Sequence, residues 1–354
     1  EMLIDAYFAK LPYDLQPSGG PIGDECISQR CANATTTGYE YCSILELSQS
    51  YEMMLELTGA PKWADRAEHL VYNAGLAARH PFRSQISYLT CDNAYKMMGD
   101  GMHTSGVGEN ARYKYSSAHR DAAVCCVPNA GRLFPHFLNH MYYETQNGIF
   151  VALYGPSELR CNVQGSEVRI LQNTNYPFEN LVEFRVSHER DLCIELRVPE
   201  WAESVALESA AFETGESRVT VLCNGSGETV FTVGFSTRVT AHVDLMGEDY
   251  FTVGGLVLSA PIAAREHFGI CYEKMFRDTR YEPLDDEYRR LRSLKTSAQD
   301  AVCEIRGTDV LNPPVYLVPM IKRGEEAPVN IEMQPIGTCI LRRTTFPAGD
   351  ERMD

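Results

Sequence analysis

Glu40-Tyr41-Cys42 opens one helical stretch of this chain, and Cys125-Cys126, followed by Val127-Pro128-Asn129, opens another. Three thiols and a carboxylate make a complete tetrahedral donor set for Zn²⁺, a borderline-soft ion that favours sulfur. Their spacing is no standard zinc signature. On residues alone, a metal cluster and a set of buried, idle thiols therefore stand side by side. A thiol redox pair is the weakest reading, because adjacent cysteines close only a strained disulfide and the sequence contains no Cys-x-x-Cys. His119, six residues before Cys125, reads as a satisfied loop histidine ahead of a ligand.

The elements that must position these residues follow from the apolar pattern. Ile44, Leu47, Tyr51, Met54 and Leu55 recur at helical spacing and stop at Gly59 with Pro61 behind it. A second helix is expected from Lys62 to Arg79, striped by Trp63, Ala67, Leu70, Val71, Ala74 and Ala78 and broken at His80-Pro81. A third is expected from Ala130 to Tyr143, through Leu133, Phe134, Phe137, Leu138 and Met141. Between them, Gly99 to Arg120 is polar and rich in Gly, Ser and His, a length of irregular chain that is usually functional or mobile.

After Asn147-Gly148 the period turns to alternation, in the runs 149–154, 167–171, 182–186 and 192–198. Turn signals at Asn224-Gly225, Gly247-Glu248 and Gly254-Gly255 punctuate short strands at the spacing of a sandwich. The expected organisation is a helical part over 1–147, a β-sandwich over 148–255, and a second sandwich or β-rich region over 256–354. The highly charged stretch Phe276 to Ser297 is read as a helix or a surface excursion.

Composition narrows the function classes. With 354 residues the chain is long enough for two or three cores. A formal net charge of -16 repels nucleic acid and anionic lipid, so a neutral or cationic ligand fits better. No apolar run approaches the roughly 18 residues of a membrane span, and the first fifteen residues lack the zones of a signal peptide. Cys161, Cys193, Cys223, Cys303 and Cys339 sit singly in strand-like stretches and read as reduced core residues, which points to the cytoplasm.

Several ordered stretches resemble the glycoside hydrolase family 127 and 146 group, formerly the DUF1680 proteins. They are Ser18-Gly19-Gly20, Glu25 and Glu40-Tyr41-Cys42; Leu57-Thr58-Gly59, Trp63-Ala64-Asp65, Glu68 and Tyr72-Asn73; and Cys125-Cys126-Val127-Pro128-Asn129. Further on come Leu196-Arg197-Val198-Pro199-Glu200-Trp201-Ala202, then Gly337-Thr338 and Leu341-Arg342-Arg343-Thr344-Thr345-Phe346-Pro347. The resemblance implies an α+β multidomain fold: the C-terminal part of an (α/α)6 barrel followed by one or two β-sandwich domains. It implies a retaining glycosidase acting on β-L-arabinofuranosides of plant-type glycans. Cys125 would be the nucleophile, Glu25 the general acid/base, and Glu40, Cys42, Cys125 and Cys126 the zinc ligands. Glu68 and Tyr88 would bind the sugar.

A thiolate in that role makes physical sense, since metal coordination and a helix N-terminus both stabilise the anion. The sequence departs from the family pattern in holding only the last few barrel helices, so a second copy or an N-terminal segment is expected to cover their apolar faces. The competing reading is a non-catalytic carbohydrate-binding or assembly protein with structural zinc.

Overall fold

The computed structural model describes residues 2–25, 31–99, 111–119, 125–215, 217–273, 276–284, 290–297, 302–304 and 307–348. It is a mixed, strand-rich α+β molecule. Its contacts gather into two units that do not follow the serial boundaries expected at 147 and 255. The first comprises residues 1–47, 69–133 and 239–354, the second residues 48–68 and 134–238.

Four α-helices are described: α1 (Met2–Lys10), α2 (Tyr41–Thr58), α3 (Pro61–Leu70) and α4 (Cys126–Asn139). The end of α2 is where the sequence puts it. Gly59 takes a φ of 62°, a left-handed conformation that suits glycine, and Pro61 starts the next helix. α3 continues through a π-helical segment, Val71–Gly75. α4 begins four residues before the expected Ala130 and ends at Asn139. The residues expected to finish it, Tyr142 and Tyr143, instead open the strand Tyr142–Thr145, which pairs with Gly148–Val151 across a two-residue turn. Gly148 permits a close backbone approach in that sheet: a Cβ there would lie 1.8 Å from the carbonyl oxygen of Cys193.

The second unit carries two five-stranded sheets that fit a β-sandwich. One runs in the order Phe212–Thr214, Arg218–Cys223, Leu192–Arg197, Gly148–Val151, Tyr142–Thr145. The other runs Ser204–Glu208, Gly227–Ser236, Leu181–His188, Ser166–Asn173, Ser157–Val163. Alternate residues are buried in both, such as Ile194 and Leu196 in one and Val182, Phe184 and Val186 in the other. Phe184 and Phe231 stack across paired strands with centroids 5.1 Å apart.

The first unit carries a nine-stranded sheet built from segments between Val239 and Pro347, and a four-stranded one in which Ala264–Glu273 and Phe276–Pro283 join Tyr115–Ser116 and Ile86–Ser87. The charged stretch from Phe276 is thus a strand at its start rather than a helix or excursion, because Asp278, Thr279 and Tyr281 turn inward. All three turn signals fall between strands, with Gly225, Gly247 and Gly254 at positive φ: Gly247 and Gly254 join paired strands, and Gly225 carries the chain from one five-stranded sheet to the other.

Candidate active site

Gly19 and Gly20 begin the construction of the site. Gly19 turns the chain at a φ of 81°, and a Cβ on Gly20 would meet the Tyr39 ring at 2.4 Å, so only glycine lets that ring lie flat on the turn. Tyr39–Glu40 pairs with Leu89–Thr90, which sets Glu40 opposite Leu89, and the Tyr41 N–H donates to the Tyr88 carbonyl at 3.1 Å. Tyr88 is thereby fixed beside the start of α2.

Arg79 ties the two helix entrances together. Its Nε donates to the Tyr41 hydroxyl at 2.9 Å and its Nη2 to the Ala130 carbonyl at 2.6 Å, so the first turns bearing Cys42 and Cys126 share one guanidinium. Gly75 keeps the packing beneath them close, with Leu133 only 3.0 Å from where its Cβ would stand.

The four expected ligands converge. One donor atom from each of Glu40, Cys42, Cys125 and Cys126 lies within 4.8 Å of the others. The Cys42 and Cys126 sulfurs are 3.1 Å apart, Cys126 donates to Glu40 Oε1 at 3.5 Å, and Asn129 Nδ2 donates to Cys42 Sγ at 3.2 Å. The other oxygen of Glu40 accepts the backbone N–H of Glu25 at 2.7 Å. Glu25 itself sits at a φ of 65°, a left-handed conformation unusual for a side-chain-bearing residue.

Tyr88 stands between the two expected reacting groups. Its hydroxyl donates to Glu25 Oε1 at 2.7 Å and lies 3.9 Å from Cys125 Sγ. Glu25 and Cys125 are both exposed, whereas Cys126 and Glu40 are buried. Arg112 completes the group: it pairs with Asp24, reaches Glu25 Oε1 at 3.3 Å, and lies 4.7 Å over the Tyr88 ring.

The thiols do not titrate alike. The hydrogen bond from Cys126 holds the Cys42 thiol below the usual range, while that same bond and burial push Cys126 up. Burial, then the neighbouring Cys42, pushes Cys125 up. Packed this closely, the protein's own groups favour one anion among three sulfurs. Three sulfurs and a carboxylate oxygen at such separations fit a tetrahedral metal ion, whose sulfur ligands at ~2.3 Å from the centre stand roughly 3.8 Å apart.

Glu68 is placed differently from the expected sugar contact. It is buried in the second unit, where Oε1 accepts the Tyr154 N–H at 2.7 Å and Oε2 meets the Tyr176 hydroxyl at 2.7 Å and Arg197 Nη2 at 2.5 Å. Both oxygens are engaged by protein groups in a buried setting. His119 is a held loop histidine, its Nε2 2.9 Å from the Ile86 carbonyl and its backbone N–H bonded to Ser116.

Comparison with known proteins bears on the family of the chain. A family model described as "Beta-L-arabinofuranosidase, GH127 catalytic domain" matches residues 26–139, and one described as "Beta-L-arabinofuranosidase, GH127 middle domain" matches residues 148–228. Together they cover more than half of the chain. The chain belongs to glycoside hydrolase family 127.

Solved structures share the fold of this family 127 chain. A GH127 β-L-arabinofuranosidase from Geobacillus stearothermophilus T6 aligns over 94% of this chain and 53% of its own, at 17% identity and a TM-score of 0.70. A structure titled as a GH127 β-arabinofuranosidase aligns over 98% and 56%, at 14% identity and a TM-score of 0.69. A third, titled glycoside hydrolase, aligns over 96% and 60%, at 17% identity and 0.66. The chain thus spans little more than half the length of these proteins. No curated protein sequence matches it.

Two residues of this family 127 site went unassigned in the sequence. Asn129 was visible as part of the Cys-Cys-x-x-Asn pattern, and its role follows from the helix: three residues after Cys126 its amide returns to the cluster. Arg112 carries no sequence signal, being one arginine in an irregular stretch.

Proposed function

We propose that the chain forms the cysteine- and metal-bearing part of a retaining glycoside hydrolase acting on β-L-arabinofuranosides of plant-type glycans. The observation that carries this reading is the line Glu25–Tyr88–Cys125 beside the donor cluster. Its two hydrogen-bond-scale distances bound the separation of carboxylate and sulfur at a value compatible with the ~5–5.5 Å between the reacting groups of retaining glycosidases. The helices 41–58, 61–70 and 126–139 would belong to the end of an (α/α)6 barrel, and the match of the catalytic-domain model over 26–139 supports that. The middle-domain match over 148–228 supports a separate sandwich after residue 147.

Zn²⁺ would be held by Glu40, Cys42, Cys125 and Cys126, and when bound it supplies the positive charge that favours thiolate over thiol. Cys125, exposed at the start of α4, attacks the anomeric carbon. Glu25 gives its proton to the departing oxygen and then takes one from the incoming water. Tyr88 holds the Glu25 carboxyl and, next to the sulfur, orients the sugar, while Arg112 reaches the same Glu25 oxygen. Glu40 couples the two halves, one oxygen on the cluster and one on the Glu25 backbone. Among the described residues ten cysteines are unpaired thiols, in keeping with the reducing cytoplasm we propose.

Metal content and hydrolysis of p-nitrophenyl β-L-arabinofuranoside test this, with Cys125→Ser and Glu25→Gln in the same buffer. About one zinc per chain, with turnover in the wild type and its loss by roughly 10³-fold or more in both variants, is the expected result. Zinc without turnover in the wild type would move the assignment to a structural metal in a non-catalytic protein. Absence of zinc from folded, reduced protein would remove the proposed centre.

A further inference from the structure

A second cavity lies in the first unit, away from the cysteine cluster. It measures ≈ 620 Å³ and is lined by Arg83, Gln85, Ser117, Phe268, Phe276 and Arg277, among others. That is the size of a small-ligand site. Phe268 and Phe276 are 55% and 48% exposed, which is unusual for rings that could have turned into the core. Two guanidiniums stand over Phe268, Arg277 at 4.8 Å and Arg83 at 5.8 Å from the ring centroid.

The two arginines differ in what neutralises them. Arg83 is engaged by both oxygens of Glu266. Among the described residues no carboxylate pairs with Arg277. Its backbone is held, because the buried Gln85 amide donates to the Arg277 carbonyl at 2.6 Å and accepts from Thr279 on the same strand, and its exposed guanidinium lies over Phe268. The cavity is therefore lined by two exposed phenyl rings, Phe268 beneath the two guanidiniums and Phe276, and by one cation with no carboxylate partner among the described residues, on a chain of net charge -16.

Its place relative to the candidate active site is set by one strand. Gln85 immediately precedes Ile86–Ser87, and Tyr88 immediately follows it. In extended chain those three steps span roughly 10 Å, the reach of a short oligosaccharide. We propose that this cavity is a glycan subsite for a uronic acid unit, its carboxylate on Arg277 and its C–H face on Phe268 and Phe276. The ligand class rests on the glycosidase reading above; the cavity and its charge do not.

Calorimetric titration of the whole chain with digalacturonate and with neutral galactobiose tests the proposal, because it reads binding without turnover. Digalacturonate should bind about tenfold tighter or more, as a charge-assisted contact requires, and added salt should narrow the gap. Arg277→Gln should abolish the preference and Phe268→Ala should weaken both sugars; both residues are exposed, and circular dichroism checks the fold. Equal affinities, no binding of digalacturonate, a preference that survives Arg277→Gln, or equal displacement by sodium acetate would each overturn it. A chain inactive on the arabinofuranoside that still prefers the uronate defeats only the glycosidase reading, and an active chain without the preference defeats only this one.

Discussion

Two glutamates that the sequence offered as site residues, Glu40 and Glu68, are both buried and both many-partnered, yet they belong to different kinds of construction. Glu68 faces a fixed cation: Arg197 closes its charge, with Asp65, Tyr154 and Tyr176 completing the set. Glu40 faces three thiols and, among the described residues, no cation of the protein pairs with it. A buried carboxylate answered by an arginine is finished as structure. One that gathers acidic thiols without a protein counter-charge is built for something that arrives later.

The largest effect that would test this contrast is at Glu68. Glu68→Ala leaves the buried Arg197 guanidinium with Asp65 as its one remaining carboxylate, so unfolding in denaturant should show a loss of up to about 3–5 kcal/mol while zinc content per folded chain stays unchanged. Loss of zinc with little loss of stability would erase the distinction. Burial also raises the Glu68 carboxyl above its usual range, opposed by Arg197.

His80, in the first unit, provides the next test. The Phe82 N–H donates to its Nδ1 at 3.1 Å, so Nε2 carries the proton toward the Tyr281 hydroxyl at 2.8 Å. Burial, then Arg83, lowers its pKa to about 4, against the pull of Glu266. The unfolded chain then binds more protons than the folded one, so this contribution is complete above pH 6.5 and is lost as pH falls from 6.5 toward 4, by up to roughly 3 kcal/mol. Denaturation at stepped pH, beside His80→Gln, measures it; an unchanged pH slope in the variant would refute the assignment.

The smallest effect sharpens the account of the cluster itself. Asn129→Ala removes the amide that donates to Cys42 and should weaken zinc binding by about tenfold, read by competition with a chelator, with the fold intact. Unaltered affinity would make Asn129 a helix residue and nothing more.

The same contrast explains what the sequence made legible. The donor cluster was readable because chemistry constrains residue type: Glu, Cys, Cys and Cys at helix entrances admit few uses. The helical stripe was read only from Ala130, although Cys126, buried and seven residues before Leu133, is in phase with it: a thiol read as a metal donor was not also counted as an apolar position. Tyr142 and Tyr143 continued the helical pattern in sequence and were taken by strand pairing with Phe150 and Val151, a tertiary choice that periodicity cannot anticipate. The surroundings of Glu68 were not legible, because its partners, Arg197 above all, lie far along the chain. The strands after residue 147 were clearest, since alternation and the turns at Gly225, Gly247 and Gly254 agree with one another.

The stretch Arg342 to Thr345 has a consequence for how the protein is made. Arg342 donates to the Thr90 hydroxyl and the Cys91 carbonyl, Thr344 to the Asp92 carbonyl, and Asn93 to Thr345, so residues some 250 positions downstream lock the loop that leaves Tyr88. A ribosome releases the cysteines well before this clasp. Until Thr345 emerges, the thiols of a half-made chain are exposed without the frame that orders them, open to stray oxidation or to the wrong metal. Any nascent chain stopped before Leu341 should therefore be cleared by proteolysis or captured by a chaperone, however much of the cluster it already contains.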